Sequence, residues 1–420
     1  MTLGIIRSSV SRLAVVALLL TADSGAQLQS PPPVVRGGHD QRQSTGAVTL
    51  RGKSVAVAGL AANTAMKLGN YTCTDVVGEP AGTCGLVTDY SRIVYDPNRQ
   101  RMVIFGGGHS STSYDAINTY DLVNLKWVEE YLPGNCASHV ASNLNATNGT
   151  WITGPAGGPY PRPLARHTED EMVVVGDELI VLESVEGNGN YCANLPNYTG
   201  YEFATAGKIA HYNFVTKTWS YSSVNGIQSD WPGAAYDPVS GQVIILGQQG
   251  LDLYDPVAKT KTRVIDFGTY AGLAQLKDDQ GNAIANTLTY NNNLVYYPPN
   301  QKFYYFERTG QAVYELSLNR SNFAQSTIVR QTTSGTPPPA GVETGFGYDS
   351  TNQIIGGGPL QNVFYAYAPA AKAWTAKTVQ GGTPGSVAFH ALDYDAKDNV
   401  FVFITDATSG RQTWAYRYGP

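Results

Sequence analysis

Six copies of one unit run through this chain, and that repetition restricts its fold more than any other feature. The first copy reads SRIVYDPNRQRMVIFGGGHSSTSYDAINTYDLVNLKW, Ser91 to Trp127. The second opens at Arg166 with RHTEDEMVVVGDELIVLES and is completed by GKIAHYNFVTKTW, Gly207 to Trp219. Further copies start at Gly233, Asn286, Gly345 and Phe389, the last ending at Tyr418. Each has one grammar. A short strand ends in Tyr-Asp or a relative, and a turn of Pro, Asn, Gly or Asp follows. An apolar strand such as MVIF, VIIL or VFVF comes next, then an aromatic-bearing strand, a turn and Trp. Alternating apolar runs with turn residues between them read as four antiparallel strands per copy. Four-stranded units in series predict an all-β β-propeller. The 45 glycines, 27 tyrosines and only 15% charged residues fit strands and turns rather than helices.

The spacing of Gly-Gly, Tyr-Asp and Trp resembles Kelch repeats from Ser91 to Tyr418, most strongly in the first copy and most loosely in the fourth. The resemblance implies a Kelch-like propeller of six blades, or seven if the region before Ser91 forms more than one strand. The sixth copy stops after its third strand. Its outer strand is expected from the N-terminal segment around Ser54 to Met66, closing the ring.

The remaining organisation follows from the ends and the cysteines. Arg7 and Arg12 precede the apolar run Leu13 to Leu20, and Ser24-Gly25-Ala26 follows, which reads as a signal peptide over residues 1–26. Residues 27–48 read as a flexible leader and 49–420 as a single domain. The exported protein is expected in the periplasm or outside the cell, as a monomer with no membrane segment. Four cysteines suit two disulfides, Cys73 with Cys84 locally and Cys136 with Cys192 between the insertions at 129–165 and 185–206. No Cys/His metal spacing occurs and the sequence requires no cofactor, although a structural metal ion in the channel is compatible with it. A net charge of -5 gives no case for nucleic acid.

In a propeller, the loops between second and third strands share a face with the connections entering each first strand. His109, Arg166, His167, Arg308 and His390 fall in such loops or at strand starts. The insertions bring Tyr160, Tyr191, Tyr198 and Tyr201 to the same face. The glycines before His109 are accounted for by the fold alone, because Gly356-Gly357-Gly358 repeats them and continues to Pro359. The histidine is not repeated. The Tyr-Asp pairs read as turn residues, Trp127, Trp219 and Trp374 as packing, His211 as structural and His139 as surface. No P-loop, dinucleotide fingerprint, nucleophile elbow or HExxH is present.

A mouth rich in Arg, His and Tyr suits β-elimination on a uronic-acid-containing glycan. That reaction needs a cation on the C5 carboxylate, a base for the C5 proton and an acid for the leaving oxygen. The chain resembles secreted bacterial Kelch-like proteins carrying Gly-Gly-Gly-His followed by Arg-His-Thr in the next blade. At the level of fold and residue types it also resembles propeller polysaccharide lyases, including ulvan lyases. The resemblance implies Arg166 as the cation, His109 or His167 as the base and Tyr114 or an insertion tyrosine as the acid. Arg308, His390, Tyr191 and Tyr201 would bind an acidic polysaccharide or oligosaccharide. The alternative is a non-catalytic propeller that binds a glycan or a protein. A copper radical oxidase like galactose oxidase is disfavoured, because all four cysteines are better used in disulfides.

Overall fold

The computed structural model describes residues 55–106, 113–182, 192, 207–227, 231–288, 292–308, 311–406 and 410–420, within the unit Val48–Pro420. The fold is all-β. Among the described residues the strands form six sheets of four or five strands and one small sheet of three. The first sheet runs Ile93–Asp96, Arg101–Ile104, Asn118–Asp121, Lys126–Glu129. The second runs Met172–Val175, Glu178–Val181, Lys208–Asn213, Thr218–Asn225. The leading strands of the other four are Gly233–Asp237, Asn293–Tyr297, Phe346–Asp349 and Val387–Asp395. Within each of the six, successive strands pair antiparallel. The fourth and fifth sheets each gain a short parallel strand at the outer edge, Leu276–Asp278 and Ser334–Gly335.

The apolar second strands are buried along nearly their whole length, whereas the outer strand Lys126–Glu129 alternates with solvent. Sheets covered on both faces read as continuous apolar runs, and here the cover is the neighbouring sheet. Val173 and Ile180 of the second sheet pack with Ala234, Val243 and Ile245 of the third. Ile244 and Leu246 of the third pack with Phe303 and Tyr305 of the fourth. Phe306 joins Ile355 and Phe364 of the fifth, which join Phe401 and Phe403 of the sixth. Val400 and Val402 meet Met102 and Ile104 of the first. The leading strand of each sheet also packs on that of the next, and that of the sixth on that of the first.

The Tyr-Asp residues act as the turn reading expects. Asp96, Asp237, Asp349 and Asp395 are fully buried at the ends of their leading strands. Each carboxylate accepts backbone N–H bonds two or three residues on, as with Asp349 from Thr351 and Asn352 at 2.9 Å. Trp127 donates to Thr413 Oγ1 of the sixth sheet, and Trp219 to the Tyr131 hydroxyl.

Two boundaries differ from the sequence reading. The strand completing the sixth sheet is Thr64–Asn70, paired antiparallel with Gln412–Arg417, and Val55–Ala58 is a helical turn instead. Arg166-His167 does not open the second leading strand, which begins at Met172. The polar run Thr168 to Glu171 is itself buried but spends its side chains on other sheets, as with Asp170 on Ala234 and Leu294, and the ladder begins at the apolar run MVVV. Both disulfides form with the expected pairing. Among the described residues, no helix is long and apolar enough to cross a membrane.

Candidate functional site

The starts of the leading strands are tied together through buried polar groups. Asp170 Oδ2 accepts the N–H groups of Ala234 at 3.2 Å and Leu294 at 2.8 Å, in the third and fourth leading strands. Its Oδ1 lies 2.7 Å from Arg92, whose guanidinium also donates to the Ala234 carbonyl. Asn293 in the fourth donates to the Thr344 carbonyl ahead of the fifth, while nearer the finishing ends Asp393 in the sixth accepts the N–H of Tyr95 in the first. Burial raises the Asp170 carboxyl to about 6, against the lowering pull of Arg92 and its two amide donors. Such a group ties sheets together. It is enclosed and committed to its partners.

Glu169, beside it, organises a second group. Its Oε2 lies 3.1 Å from His390 Nε2 and its Oε1 3.6 Å from His167 Nδ1. His390 Nδ1 faces Asn293 Oδ1 at 3.5 Å. Burial lowers the His390 pKa below its ordinary value, opposed by Glu343 and Asp170. Tyr90 stacks on His167, with ring centroids 5.6 Å apart and 15° between planes, and touches Phe389 at 4.1 Å. Arg308 pairs with Glu343 at 2.6 Å. Burial raises the Tyr90 hydroxyl pKa, with Glu343 and Glu169 adding to the rise and Arg308 opposing it. A hydroxyl so held stays protonated and is a proton donor.

The backbone of this group is unusual. Tyr90, Glu169, Trp231 and Phe389 adopt φ values of 55°, 38°, 34° and 48°. Tyr90, Glu169 and Trp231 lie two or three residues ahead of their leading strands, and Phe389 lies in the register shift of the sixth. Bulky residues in the left-handed region are costly and gather at functional sites. The other non-glycine residues with positive φ are mostly Asn, Gln and Lys in hairpin turns. Gly106, the first glycine before His109, has φ 138°, and a Cβ there would lie 2.7 Å from the Arg166 carbonyl. It lets the first sheet approach the segment that carries His167 and Glu169.

The expected site residues separate. His167 and His390 meet at Glu169, and Arg308 lies close enough to act on Tyr90 and His390. The Arg166 guanidinium donates instead to the carbonyls of Leu164, Lys208 and Gly149. Tyr114 is fully buried and its hydroxyl donates to Glu129 at 2.8 Å. His109, Tyr191 and Tyr201 lie outside the described residues. His139 is buried rather than surface. It faces Asp115 at 3.2 Å and stacks on Trp151, close to the Cys136–Cys192 bridge. Burial tends to raise Asp115, but Arg162 at 2.8 Å and His139 bring it below the carboxylate range. That cluster fastens the first insertion to the first sheet.

Tyr90, Arg92, Glu169, Asp170, Glu343 and Phe389 were not singled out from the sequence. One signal was present: Glu169-Asp170-Glu171 runs directly into a buried apolar strand, where carboxylates need a specific reason to be. Among the described residues, no three His, Cys, Asp or Glu side chains are grouped to hold a metal.

No family model matches the chain, and no curated relative matches it. Solved structures give distant likenesses. A chain of a mitotic checkpoint complex aligns with 10% identity and a TM-score of 0.45, over 97% of this chain and 99% of that one. The extracellular domain of BT4673 from B. thetaiotaomicron aligns with 12% identity and a TM-score of 0.40, over 83% of this chain and 34% of that one. At those scores neither carries an argument about this protein.

Proposed function

We propose that this protein is an exported six-bladed Kelch-like propeller that cleaves an acidic glycan by β-elimination at the mouth where the leading strands begin. The unbroken cycle of packing between leading strands supports the closed ring. The two disulfides support an oxidising compartment. The observation that carries the activity is the stack of Tyr90 on His167 beside Phe389 and within the field of Arg308.

In this reading Arg308 exchanges its Glu343 partner for the substrate carboxylate. It takes the part expected of Arg166, whose guanidinium is engaged by backbone carbonyls. His167 removes the C5 proton, with His109 as the other base in reach of the sequence argument. The C5–H electron pair forms the C4–C5 double bond as the C4–O bond breaks. Tyr90 delivers its proton to the leaving oxygen, in place of the buried Tyr114, its hydroxyl being protonated at neutral pH. Phe389 offers an apolar face for a sugar ring.

A second reading is recognition without cleavage, favoured by one observation: His167 and His390 are both almost wholly buried. A screen of the mature chain against uronate polysaccharides, following the ultraviolet absorbance of the unsaturated product, separates the two. A rise lost in Tyr90→Phe and Arg308→Ala supports the lyase. Binding with no rise on any substrate supports recognition.

A further inference from the structure

We infer that a cavity between the fourth and fifth sheets receives an acetyl group carried by the glycan, beside the Arg308 that takes its carboxylate. This rests on the acidic-glycan reading of the mouth. Phe306, Ala312, Pro338, Phe346 and Trp374 line the cavity, together with the Arg308–Glu343 pair. About 30 Å³ within it is open to the centres of water-sized groups. One water needs roughly 10–15 Å³ on that measure, so the space takes about two or three heavy atoms, the size of an acetyl group.

The walls are apolar and fixed in advance. Phe306 and Phe346 stack with ring centroids 4.4 Å apart and 15° between planes, and Trp374 meets Phe306 edge-on at 5.7 Å. Pro338 and Pro339 add a wall whose backbone is restricted by its own rings. Gln311 donates to the Pro338 carbonyl, and the Gly341 N–H to the Arg308 carbonyl at 3.1 Å, which ties this run to the fourth sheet. Such walls favour a methyl group and need little ordering when it binds.

The polar half of the acetyl group is matched by an indole. Trp127, Trp219 and Trp374 hold one place in the repeat, each paired across the outer two strands with a tyrosine, Tyr120, Tyr212 and Tyr367. Trp127 Nε1 donates to Thr413 Oγ1 of the preceding sheet at 2.8 Å. Trp219 Nε1 donates to the Tyr131 hydroxyl, on the connection leaving the preceding sheet, at 2.9 Å. Trp374 Nε1 is equally buried, but among the described residues it has no hydrogen-bond partner. The repeat directs this N–H toward the fourth sheet, where the cavity lies in place of a Thr or Tyr oxygen. A buried donor calls for an acceptor, and an acetyl carbonyl supplies one while its methyl meets the apolar walls.

Topology puts the cavity on the working face. Phe306 ends the second strand of its sheet, and Phe346 opens the fifth leading strand. Arg308 and Glu343, which line the cavity, also act on Tyr90. A carboxylate at Arg308 and an acetyl group in the cavity then sit on one sugar or on adjacent ones.

The test titrates the mature full chain by calorimetry and by NMR of the Trp374 indole N–H, assigned with Trp374→Phe. The probes are N-acetyl-D-glucosamine and an O-acetylated D-glucuronate, which separate an amide-borne from an ester-borne acetyl group. D-glucose and sodium D-glucuronate are their unacetylated counterparts. At least one acetylated sugar should bind about tenfold tighter than its counterpart and shift the Trp374 resonance. Trp374→Phe should abolish that preference, as should Ala312→Leu, which fills the cavity with Trp374 kept. Equal affinity with and without the acetyl group, or a preference that survives both variants, overturns the assignment and spares the mouth. A Trp374 resonance unmoved by either acetylated sugar also overturns it. An acetyl preference lost in both variants, with no binding of sodium D-glucuronate, upholds the cavity and contradicts the mouth.

Discussion

The two ends of the leading strands are built by different rules. At the finishing end, Asp96, Asp237, Asp349 and Asp395 do one job four times, each capping its own turn through local N–H bonds. At the starting end the side-chain partners differ from sheet to sheet, although left-handed backbone recurs ahead of three leading strands, at Tyr90, Glu169 and Trp231. Asp170 is shared by three neighbouring sheets, Glu169 by two histidines from different sheets, and Tyr90 and Phe389 hold left-handed backbone. The finishing end adds long-range ties to its local caps, Arg320 to Asp237 and the Tyr95 N–H to Asp393, while the starting end relies on shared buried carboxylates and left-handed backbone.

The largest expected effect breaks the shared carboxylate. Asp170→Ala leaves Arg92 buried without its partner and two amides without an acceptor, and should cost about 3–5 kcal/mol in denaturant unfolding. Asp349→Ala removes one local turn cap and should cost about 1–2 kcal/mol. Equal losses would erase the distinction between the ends.

Protonation sharpens it. Burial holds His390 below its ordinary 6.5, so the stability it gives is complete above pH 6.5 and is lost as pH falls through the folded value. Asp170 acts with opposite sign. Raised from 3.8 to about 6, it favours the folded state at low pH and loses that contribution as pH rises through about 6. His390→Gln should therefore gain stability relative to the parent as pH falls from 6.5 toward 4, measured as the difference in unfolding midpoint.

The smallest effect on stability falls at Tyr90. Tyr90→Gly relieves a left-handed conformation by about 1 kcal/mol and loses stacking of similar size. Stability should move by less than about 1 kcal/mol, while glycan binding at the mouth is lost. A large destabilisation would make Tyr90 a structural residue.

The same contrast accounts for what was legible. Features that recur, such as the apolar second strands of all six sheets and the Tyr-Asp turns of four, reveal themselves by repetition. The Cys136–Cys192 bridge followed from the insertions that carry it, and Cys73–Cys84 from closeness in sequence. The site was legible only in its histidines and Arg308, residue types that stand out against a repeat. Arg166 and Tyr114 drew attention by type, but their side chains turn to the carbonyls of Leu164, Lys208 and Gly149 and to Glu129. Sequence position does not give side-chain direction in an irregular connection. Tyr90 and Phe389 escaped because nothing in composition marks a left-handed backbone at a bulky residue.

The most direct test is product absorbance from the parent, Tyr90→Phe, Arg308→Ala and Asp349→Ala on one uronate polysaccharide that the parent cleaves. The account predicts loss of turnover in the first two variants, both still folded, and near-parent turnover in Asp349→Ala despite its lower stability. Full turnover in Tyr90→Phe and Arg308→Ala would contradict it and move the chemistry away from the starts of the leading strands.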